Sequence, residues 1–376
     1  MSFTSLLTPA LILDRSVLTK NIGAMHYRMR ERGVGLRPHL KTAKSAHVAK
    51  LGTAGQSGGI TVSTLAEAEY FHSHGFSDIL YAVGIAPGRL ARVNALSKAG
   101  AQIKIVTDNK ATVEAIISAF PSETEHPFQV LIEIDSGEGR AGILPDSPEF
   151  LDIAMSIDTS TNMNLMGVLT HAGHSYGCRT IKEIKAVAEE ERLAVTGAAE
   201  RLRSAGLSCP IVSAGSTPTA VHAENLDGVT EMRPGVFVFN DLKQLSIGTC
   251  ERNELALSVL ASVIGHSRHN RHIILDAGAL ALSKDVSAHD DHPHVGYGEV
   301  CNVEDLHPFE GLYVNAVSQE HGIVPITDDR QFDELPIGTK VRILPNHACI
   351  TAAGYSHYEV FENGKLVSRW DRVNGW

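Results

Sequence analysis

The sequence lacks the features of a membrane, secreted or nucleic-acid-binding protein. No apolar run approaches the ~20 residues that a membrane span requires, and the N-terminus has no signal-peptide pattern. Five scattered cysteines do not resemble a disulfide framework. Acidic residues outnumber basic ones by 43 to 33, and no Lys/Arg run offers a surface for nucleic acid. We therefore expect a cytosolic protein with reduced thiols, no membrane association and no nucleic-acid partner.

Short apolar segments alternate with helix-like segments through the first 245 residues. The helix-like segments include 64–74, opened by the capping pair Thr64 and Glu67, and the long charged segment 181–205. Eight strand-helix units predict a (β/α)8 barrel. A doubly wound open sheet is the alternative, but no G-x-G-x-x-G motif follows the early strands. The eight predicted strands are 34–40, 60–63, 79–83, 103–107, 128–135, 165–171, 211–214 and 229–233.

From about residue 246 the pattern changes to extended segments without intervening helices. The dipeptide Asn363-Gly364 is typical of a hairpin turn in such a region. The strand-like segment 10–14 has no place in the barrel, and we assign it to this second sheet. The sequence therefore predicts two domains, an α/β barrel of residues 16–245 and a mostly β domain of residues 1–15 plus 246–376. The extended segments are 255–264, 272–277, 312–317, 340–344 and 358–361, and a polar stretch with His289, His292 and His294 is typical of a solvated loop.

In a (β/α)8 barrel the reactive groups collect where the strands end. Lys41 closes the first predicted strand, and a buried lysine amine there can have a lowered pKa and form a Schiff base. The seventh strand ends at Gly215, Ser216 and Thr217, whose N–H groups and hydroxyl can cradle a phosphate. A surface lysine and an ordinary loop are the alternatives. Together, a Schiff-base lysine and a phosphate cradle predict pyridoxal 5'-phosphate as the cofactor.

Four more residues have possible tasks around such a cofactor. Arg140 follows strand five on a glycine loop and can donate hydrogen bonds to the phenolate oxygen. His171 ends strand six and can lie against the pyridine face, and Tyr176 follows as a hydroxyl donor. Arg233 ends strand eight and can meet the ring nitrogen. Each of the four can equally be a loop residue or a satisfied polar group of the core.

His347 and Cys349 form a candidate metal pair. Residues two apart in an extended chain project to the same side, so an imidazole and a thiolate can hold one zinc or similar ion. Two protein ligands leave coordination positions open, as a catalytic metal needs. The alternative is a half-buried histidine beside an inert cysteine.

Five segments together resemble one known family. The family is the metal-activated, pyridoxal-phosphate-dependent D-serine dehydratase and D-threonine aldolase group, which shares the alanine-racemase fold, also called fold type III. The resemblance runs over nearly the whole chain. The segments that carry it are 37–42 (RPHLKT), 213–219 (SAGSTPT), 275–278 (LDAG), 319–322 (QEHG) and 345–349 (PNHAC).

The resemblance implies roles for the candidate residues. Lys41 would carry the cofactor, Gly215 and Ser216 would bind its phosphate, and His347 and Cys349 would hold a divalent metal. That metal is zinc, or manganese, cobalt or nickel. Further implications are that both chain ends enter the β domain and that the protein is a homodimer. Arg140 matches the glycine-loop arginine of the alanine racemases, and Arg233 resembles their pyridine-contacting arginine.

The second metal ligand favours one reaction within this group. A cysteine at the position of Cys349 resembles the dehydratases, whereas the aldolases have aspartate there. The implied activity is a lyase reaction that converts D-threo-3-hydroxyaspartate or D-serine to a 2-oxo acid and ammonia. Three alternatives stay open. They are retro-aldol cleavage to glycine and an aldehyde, amino-acid racemisation, and a non-catalytic carrier of pyridoxal phosphate.

Overall fold

The computed structural model describes residues 3–56, 59–120, 125–286 and 295–376. The three histidines at 289, 292 and 294 lie outside these ranges. No helix among the described residues is long and apolar enough to cross a membrane. The α-helices are α1 (Arg15–Glu31), α2 (Ala46–Thr53), α3 (Leu65–Ser73), α4 (Leu90–Lys98), α5 (Lys110–Ala119), α6 (Pro148–Asp158), α7 (Ile181–Ser204), α8 (Thr217–His222), α9 (Leu242–Ser246), α10 (Ala279–Leu282), α11 (Arg330–Glu334) and α12 (Ala348–Ala353).

The strands of the described residues belong to two sheets. They are β1 (Ala10–Asp14), β2 (Gly35–Leu36), β3 (Ile60–Val62), β4 (Asp78–Gly84), β5 (Gln102–Thr107), β6 (Phe128–Ile134), β7 (Met163–Thr170), β8 (Ile211–Ala214), β9 (Glu231–Met232), β10 (Leu257–Ser267), β11 (His272–Leu275), β12 (Glu299–Cys301), β13 (Pro308–Tyr313), β14 (Ala316–Val317), β15 (Gly322–Pro325), β16 (Lys340–Leu344), β17 (His357–Glu362) and β18 (Lys365–Asp371).

The chain divides into two compact units. We call Ala24–Gly235 with Val373–Trp376 the barrel unit, and Met1–Gly23 with Val236–Arg372 the sheet unit. The limits predicted for the barrel were residues 16 and 245.

The barrel unit contains the parallel sheet, in the order β2-β9-β8-β7-β6-β5-β4-β3. The segment directly after β2 is joined to β3, at the other end of the sheet, by backbone hydrogen bonds. The Leu40 N–H donates to the Thr61 carbonyl at 2.8 Å, and the Thr61 N–H donates to the Pro38 carbonyl at 3.0 Å. The sheet therefore closes on itself, and the predicted (β/α)8 barrel is confirmed.

The first barrel strand is shorter than predicted, spanning Gly35–Leu36 instead of 34–40. Pro38 has no N–H to donate to a strand ladder, so regular pairing stops before it. The remaining contact with β3 is the single bridge between His39 and Thr61. The chain then turns, and this turn carries Lys41.

The sheet unit contains a mixed, mainly antiparallel sheet with β1 in its interior. β1 pairs antiparallel with β10 and parallel with β17, which confirms the assignment of segment 10–14 to the second sheet. The hairpin between β17 and β18 turns at Asn363 and Gly364, with φ of 51° and 72°. Both residues are left-handed, as a two-residue type I′ turn requires. The predicted strand 312–317 is instead split between β13 and β14.

Candidate active site

A cavity of about 200 Å³ lies in the barrel unit, at the ends of the barrel strands. Six titratable residues from four strand ends line it, which are His39 and Lys41 after β2, Glu133 and Arg140 at and after the end of β6, His171 after β7 and Arg233 after β9. Gly215, in the turn after β8, also lines the cavity. Five of the residues predicted from the sequence therefore surround one cavity.

Lys41 is exposed at this cavity, whereas the sequence analysis expected a buried amine. The reason is the early end of β2 at Leu36, which leaves Lys41 in a turn outside the sheet. Among the described residues no carboxylate forms an ion pair with Lys41. An accessible amine without a counter-ion suits attachment to a carbonyl.

Arg233 follows β9 and is buried, with 4% of its surface exposed. One terminal nitrogen donates to Ser213 Oγ at 2.5 Å, and the other donates to the Thr170 carbonyl at 2.6 Å. Ser213 in turn donates to Glu231 Oε1 at 2.6 Å. Because two of its nitrogens are held in this way, the guanidinium has a fixed orientation against the cavity.

Arg140 lies on the loop after β6, as the glycine-rich sequence predicted. Its side chain is 56% exposed, and its guanidinium lies 3.3 Å from Glu138 Oε1. Exposed ion pairs of this kind are weak, so the arginine can exchange its partner for a bound anion or phenolate.

Two histidines in the cavity are held neutral by their surroundings. Burial, with the positive charges of Lys41 and Arg233, lowers the pKa of His171 to about 3. Burial and the same two cations also lower the pKa of His39 well below its usual range. His171 Nδ1 lies 3.3 Å from the Gly215 carbonyl, which fixes the orientation of the ring. The formal charge of the site therefore comes from its lysine, arginine and carboxylate groups.

Glu133 and His39 are cavity residues to which the sequence analysis gave no role. Glu133 occupies the second-last position of β6, where its side chain points into the barrel mouth. Burial and the nearby Asp108 raise the pKa of Glu133. The available signal was position alone, since both residues lie near the end of a predicted barrel strand.

The Gly215 and Ser216 N–H groups, which were predicted to bind a phosphate, form hydrogen bonds within the protein instead. The Gly215 N–H donates to Glu191 Oε1 at 3.0 Å, and the Ser216 N–H donates to Thr219 Oγ1 at 2.9 Å. Both residues are buried, and buried N–H groups need partners, which this loop finds within the protein. These two N–H groups are therefore engaged in the structure.

Thr217 and Tyr176 lie next to this loop. The Thr217 N–H contacts the Tyr176 hydroxyl at 3.4 Å, a longer contact than those at Gly215 and Ser216. The Tyr176 ring lies 6.5 Å from the His171 ring. Tyr176 is thus associated with both the predicted phosphate loop and the histidine of the cavity.

The cavity fits pyridoxal phosphate. It combines an accessible lysine amine with two arginines and neutral imidazole rings, and the cofactor presents an aldehyde, a phenolate and an anionic phosphate. Lys41 would hold the cofactor, with Arg140, His171 and Arg233 around its ring.

The candidate metal pair lies in the sheet unit. His347 Nδ1 lies 2.7 Å from Asp285 Oδ2, and the imidazole also hydrogen-bonds Cys349. Burial opposes a charge on His347, but Cys349 and Asp285 outweigh it and raise the pKa of His347 to about 11. With Nδ1 held by a carboxylate, the imidazole and the neighbouring Cys349 sulfur are the groups that would bind a cation, which would displace the imidazole proton.

The geometric reason given for this pair from the sequence was wrong. The two residues are not in an extended chain, because His347 is the N-cap of α12 and Cys349 lies in its first turn. The turn is held by Asp241, which accepts the Ala348 N–H at 2.9 Å. Among the described residues no set of three or more His, Cys, Asp or Glu side chains could hold a metal ion. The pair therefore fits an open metal site, completed by water or substrate.

Comparisons with known proteins identify the family of the chain. Residues 13–242 match the family described as alanine racemase, N-terminal domain, and residues 256–361 match the "Putative serine dehydratase domain". The D-threo-3-hydroxyaspartate dehydratase of Delftia sp. (strain HT23) is 44% identical over 98% of both chains. The D-serine dehydratase of Dictyostelium discoideum is 33% identical over 96% of this chain and 94% of that protein.

The solved structures give the same result. A D-threo-3-hydroxyaspartate dehydratase described as a cysteine-to-alanine mutant in the metal-free form is 42% identical, with a TM-score of 0.96 and full coverage of both chains. The D-threonine aldolase of Filomicrobium marinum shares the fold at a TM-score of 0.84 and 23% identity, over 98% of this chain and 95% of that one. The chain belongs to the alanine-racemase-fold family that includes the D-serine and D-threo-3-hydroxyaspartate dehydratases.

Proposed function

We propose that the protein is a lyase that converts D-threo-3-hydroxyaspartate or D-serine to a 2-oxo acid and ammonia. The observation that carries the proposal is the cavity that gathers Lys41, Arg140, His171 and Arg233. The identity of 44% with a D-threo-3-hydroxyaspartate dehydratase along the full chain supports the same reaction.

Each cavity residue has a task in this proposal. When bound, pyridoxal phosphate supplies an electron sink for the substrate carbon that carries the nitrogen. Lys41 holds the cofactor through its amine and, once freed, accepts the proton from that carbon at Nζ. Arg140 would donate to the phenolate oxygen, and neutral His171 would contact the ring. Arg233, held by Ser213, would serve the ring nitrogen.

The phosphate is assigned to the loop at Gly215, Ser216 and Thr217, with the Tyr176 hydroxyl beside it. The Thr217 N–H to Tyr176 hydroxyl contact is long for a hydrogen bond, at 3.4 Å. It is therefore a contact that is easily exchanged for a phosphate oxygen.

His347 and Cys349 would hold a divalent metal, with Asp285 fixing the imidazole. When bound, the metal supplies a Lewis acid that makes the substrate hydroxyl a better leaving group. An imidazole and a thiolate suit zinc, and manganese, cobalt or nickel are the other candidates. The relative described as a cysteine-to-alanine mutant in a metal-free form supports a cysteine ligand. The thiolate also supports elimination over retro-aldol cleavage, because the chain resembles the dehydratases at this position.

The test is a product assay. The purified protein, loaded with cofactor and zinc, is given D-threo-3-hydroxyaspartate, D-serine and D-threonine separately. We expect ammonia and a 2-oxo acid from at least one of the first two, and no product from Lys41→Ala. Lys50→Ala, a change at an exposed lysine of α2, is the matched control and keeps full activity. Glycine with an aldehyde would identify an aldolase instead, and cofactor binding without turnover would identify a carrier.

Three further assignments belong to the same proposal. We assign the cofactor to a barrel domain of residues 16–245 and the metal to a β domain of residues 1–15 plus 246–376. We also propose a homodimer, which light scattering of the loaded protein would test. None of the five cysteines forms a disulfide bond, which supports a reducing, cytosolic location.

A further inference from the structure

One buried carboxylate in the barrel unit links two of the loops around the cavity. Glu191 lies in the middle of α7 and is 1% exposed. Its Oε1 accepts the Ala172 N–H at 2.8 Å and the Gly215 N–H at 3.0 Å. The carboxylate also hydrogen-bonds the Thr219 side chain. Glu191 therefore joins the segment after β7, the segment after β8 and the first turn of α8.

The two backbone groups that Glu191 holds are next to the residues assigned to the cofactor. Ala172 follows His171, and Gly215 precedes Ser216. His171 Nδ1 lies 3.3 Å from the Gly215 carbonyl, so Gly215 is held through both its N–H and its carbonyl. The φ of this residue is +111°, in a region that residues with a Cβ rarely adopt, so the position favours glycine.

Neighbouring atoms pack so closely around Gly215 that a side chain at this position would have little room. A Cβ on this residue would lie 3.1 Å from the Arg233 backbone nitrogen and 3.0 Å from Met232 Cε. Residue 215 thus packs directly against the chain that carries the cavity arginine. A small rotation of Gly215 would change the directions of the groups that follow it, at Ser216 and Thr217.

We propose that Glu191 is a positioning residue for the phosphate end of pyridoxal phosphate. It fixes Gly215 in its left-handed conformation, and so it directs the Ser216 and Thr217 groups and the Tyr176 hydroxyl toward the phosphate. Glu191 itself touches neither cofactor nor substrate. The Gly215 N–H, which the sequence assigned to the phosphate, serves instead to hold the loop. The inference rests on the proposed function, because it requires the cofactor.

The test separates the phosphate from the rest of the cofactor. The full chain is stripped of cofactor and titrated with pyridoxal phosphate and, separately, with pyridoxal, and bound ligand is followed by its absorbance. The ratio of the two dissociation constants reports the contribution of the phosphate. We expect Glu191→Ala to weaken pyridoxal phosphate binding by about tenfold, with a change in pyridoxal binding below about twofold.

Two variants refine the comparison. Glu191→Gln keeps an oxygen acceptor for both N–H groups, so its ratio should stay within about threefold of the wild type. Glu183→Ala is the matched control, because Glu183 is another α7 carboxylate that accepts two backbone N–H groups, those of Arg179 and Thr180, at the exposed start of the helix. It should leave both dissociation constants unchanged.

Each other outcome decides a different question. An unchanged ratio in Glu191→Ala, including equal weakening of both ligands, overturns the positioning role. A wild-type chain that binds neither ligand overturns the proposed function itself. If Glu191→Ala yields no folded protein, Glu191→Asp gives the same test, because the shorter side chain cannot reach both Ala172 and Gly215.

Discussion

At the scale of single residues, Arg37 organises the charged interior of the barrel unit. Its Nε lies 2.8 Å from Glu231 Oε2, and its terminal nitrogens lie 2.9 and 3.1 Å from the two oxygens of Asp78. Lys104 Nζ also contacts Asp78, at 2.7 Å. The Arg37 side chain is 4% exposed, so its charge depends on these partners.

Replacing Arg37 should therefore be strongly destabilising. We expect Arg37→Met to lower the free energy of unfolding by about 3–5 kcal/mol, because it leaves the Glu231 carboxylate buried without its cation. Urea unfolding measures the change. Arg92→Met is the matched control, since Arg92 forms a two-bond pair with Glu69 at the surface, and it should lose less than about 1 kcal/mol. Equal losses in the two variants would contradict this account.

Cys349 carries the second prediction at this scale. We expect Cys349→Ala to lower zinc affinity by about tenfold or more while the absorbance of the bound cofactor is kept. Metal analysis after dialysis against zinc measures the effect. Cys209→Ala, a change at a buried cysteine of the barrel unit, should retain the metal. Zinc retained in full by Cys349→Ala would rule out the thiolate ligand.

The sequence predicted which residues line the cavity more reliably than it predicted their hydrogen-bond partners. Lys41, Arg140, His171 and Arg233 were predicted from their positions at strand ends, and they surround one cavity. The Gly215 N–H was predicted to bind a phosphate. In the structure it donates instead to Glu191, on a helix 24 residues earlier in the chain. Such a long-range hydrogen bond leaves no pattern in the local sequence.

At the scale of elements, β1 shows how a terminal segment can form the interior of a sheet. β1 has neighbours on both edges, and Ile12 at its centre is fully buried in a cluster with Phe3, Leu260 and Phe361. The segment was assigned correctly because the barrel had no place for it. Its two partner strands were beyond prediction, since pairing depends on chain segments more than 200 residues away.

Ile12→Ala tests the importance of β1. We expect a loss of about 2–5 kcal/mol in the free energy of unfolding, because the change leaves a cavity in a packed sheet. Thermal or urea unfolding measures it. Leu7→Ala is the control, since Leu7 is 91% exposed a few residues earlier, and it should change stability by less than about 0.5 kcal/mol. A small loss in Ile12→Ala would mean that β1 is not needed by the sheet.

Short elements were the least predictable. β2 ends before Pro38, and α12 begins where an extended chain was expected. At β2 the cause is local, since Pro38 has no N–H for the ladder. At α12 the extended conformation was outweighed by a hydrogen bond from elsewhere in the chain, between the Ala348 N–H and Asp241. The two residues of the candidate metal pair are nevertheless close together, because His347 at the cap and Cys349 in the first turn are within hydrogen-bonding distance.

At the scale of the whole molecule, the two halves of the chain carry different chemistry. The barrel unit gathers the cavity of cations and neutral histidines, and the sheet unit contains the imidazole and thiolate pair. Hydrophobic periodicity predicted the two architectures because it reports which side chains are buried. It could not predict that His39 and His171 would be neutral, since that depends on charges from several strand ends.

This neutrality predicts how stability depends on pH. The pKa of His171 is about 3 in the folded chain and ordinarily 6.5, so below pH 6.5 the unfolded chain takes up a proton that the folded chain does not. Stability contributed by this group is present above pH 6.5 and is lost as the pH falls toward 3. We expect a loss on the order of 1 kcal/mol from His171 at pH 5.5. Urea unfolding of the cofactor-free chain at pH 7.5 and 5.5 measures the loss.

A comparison with His171→Asn isolates this contribution. Asparagine does not titrate, so the variant should lose on the order of 1 kcal/mol less than the wild type between the two pH values, whatever its stability at pH 7.5. Titrating groups remote from His171 are common to both chains and cancel in the difference, and burial lowers the pKa of His39 in both. Equal losses would mean that His171 is protonated in the folded chain. A protonated imidazole would add a positive charge to those of Lys41, Arg140 and Arg233, and the cavity would then disfavour a cationic pyridine ring.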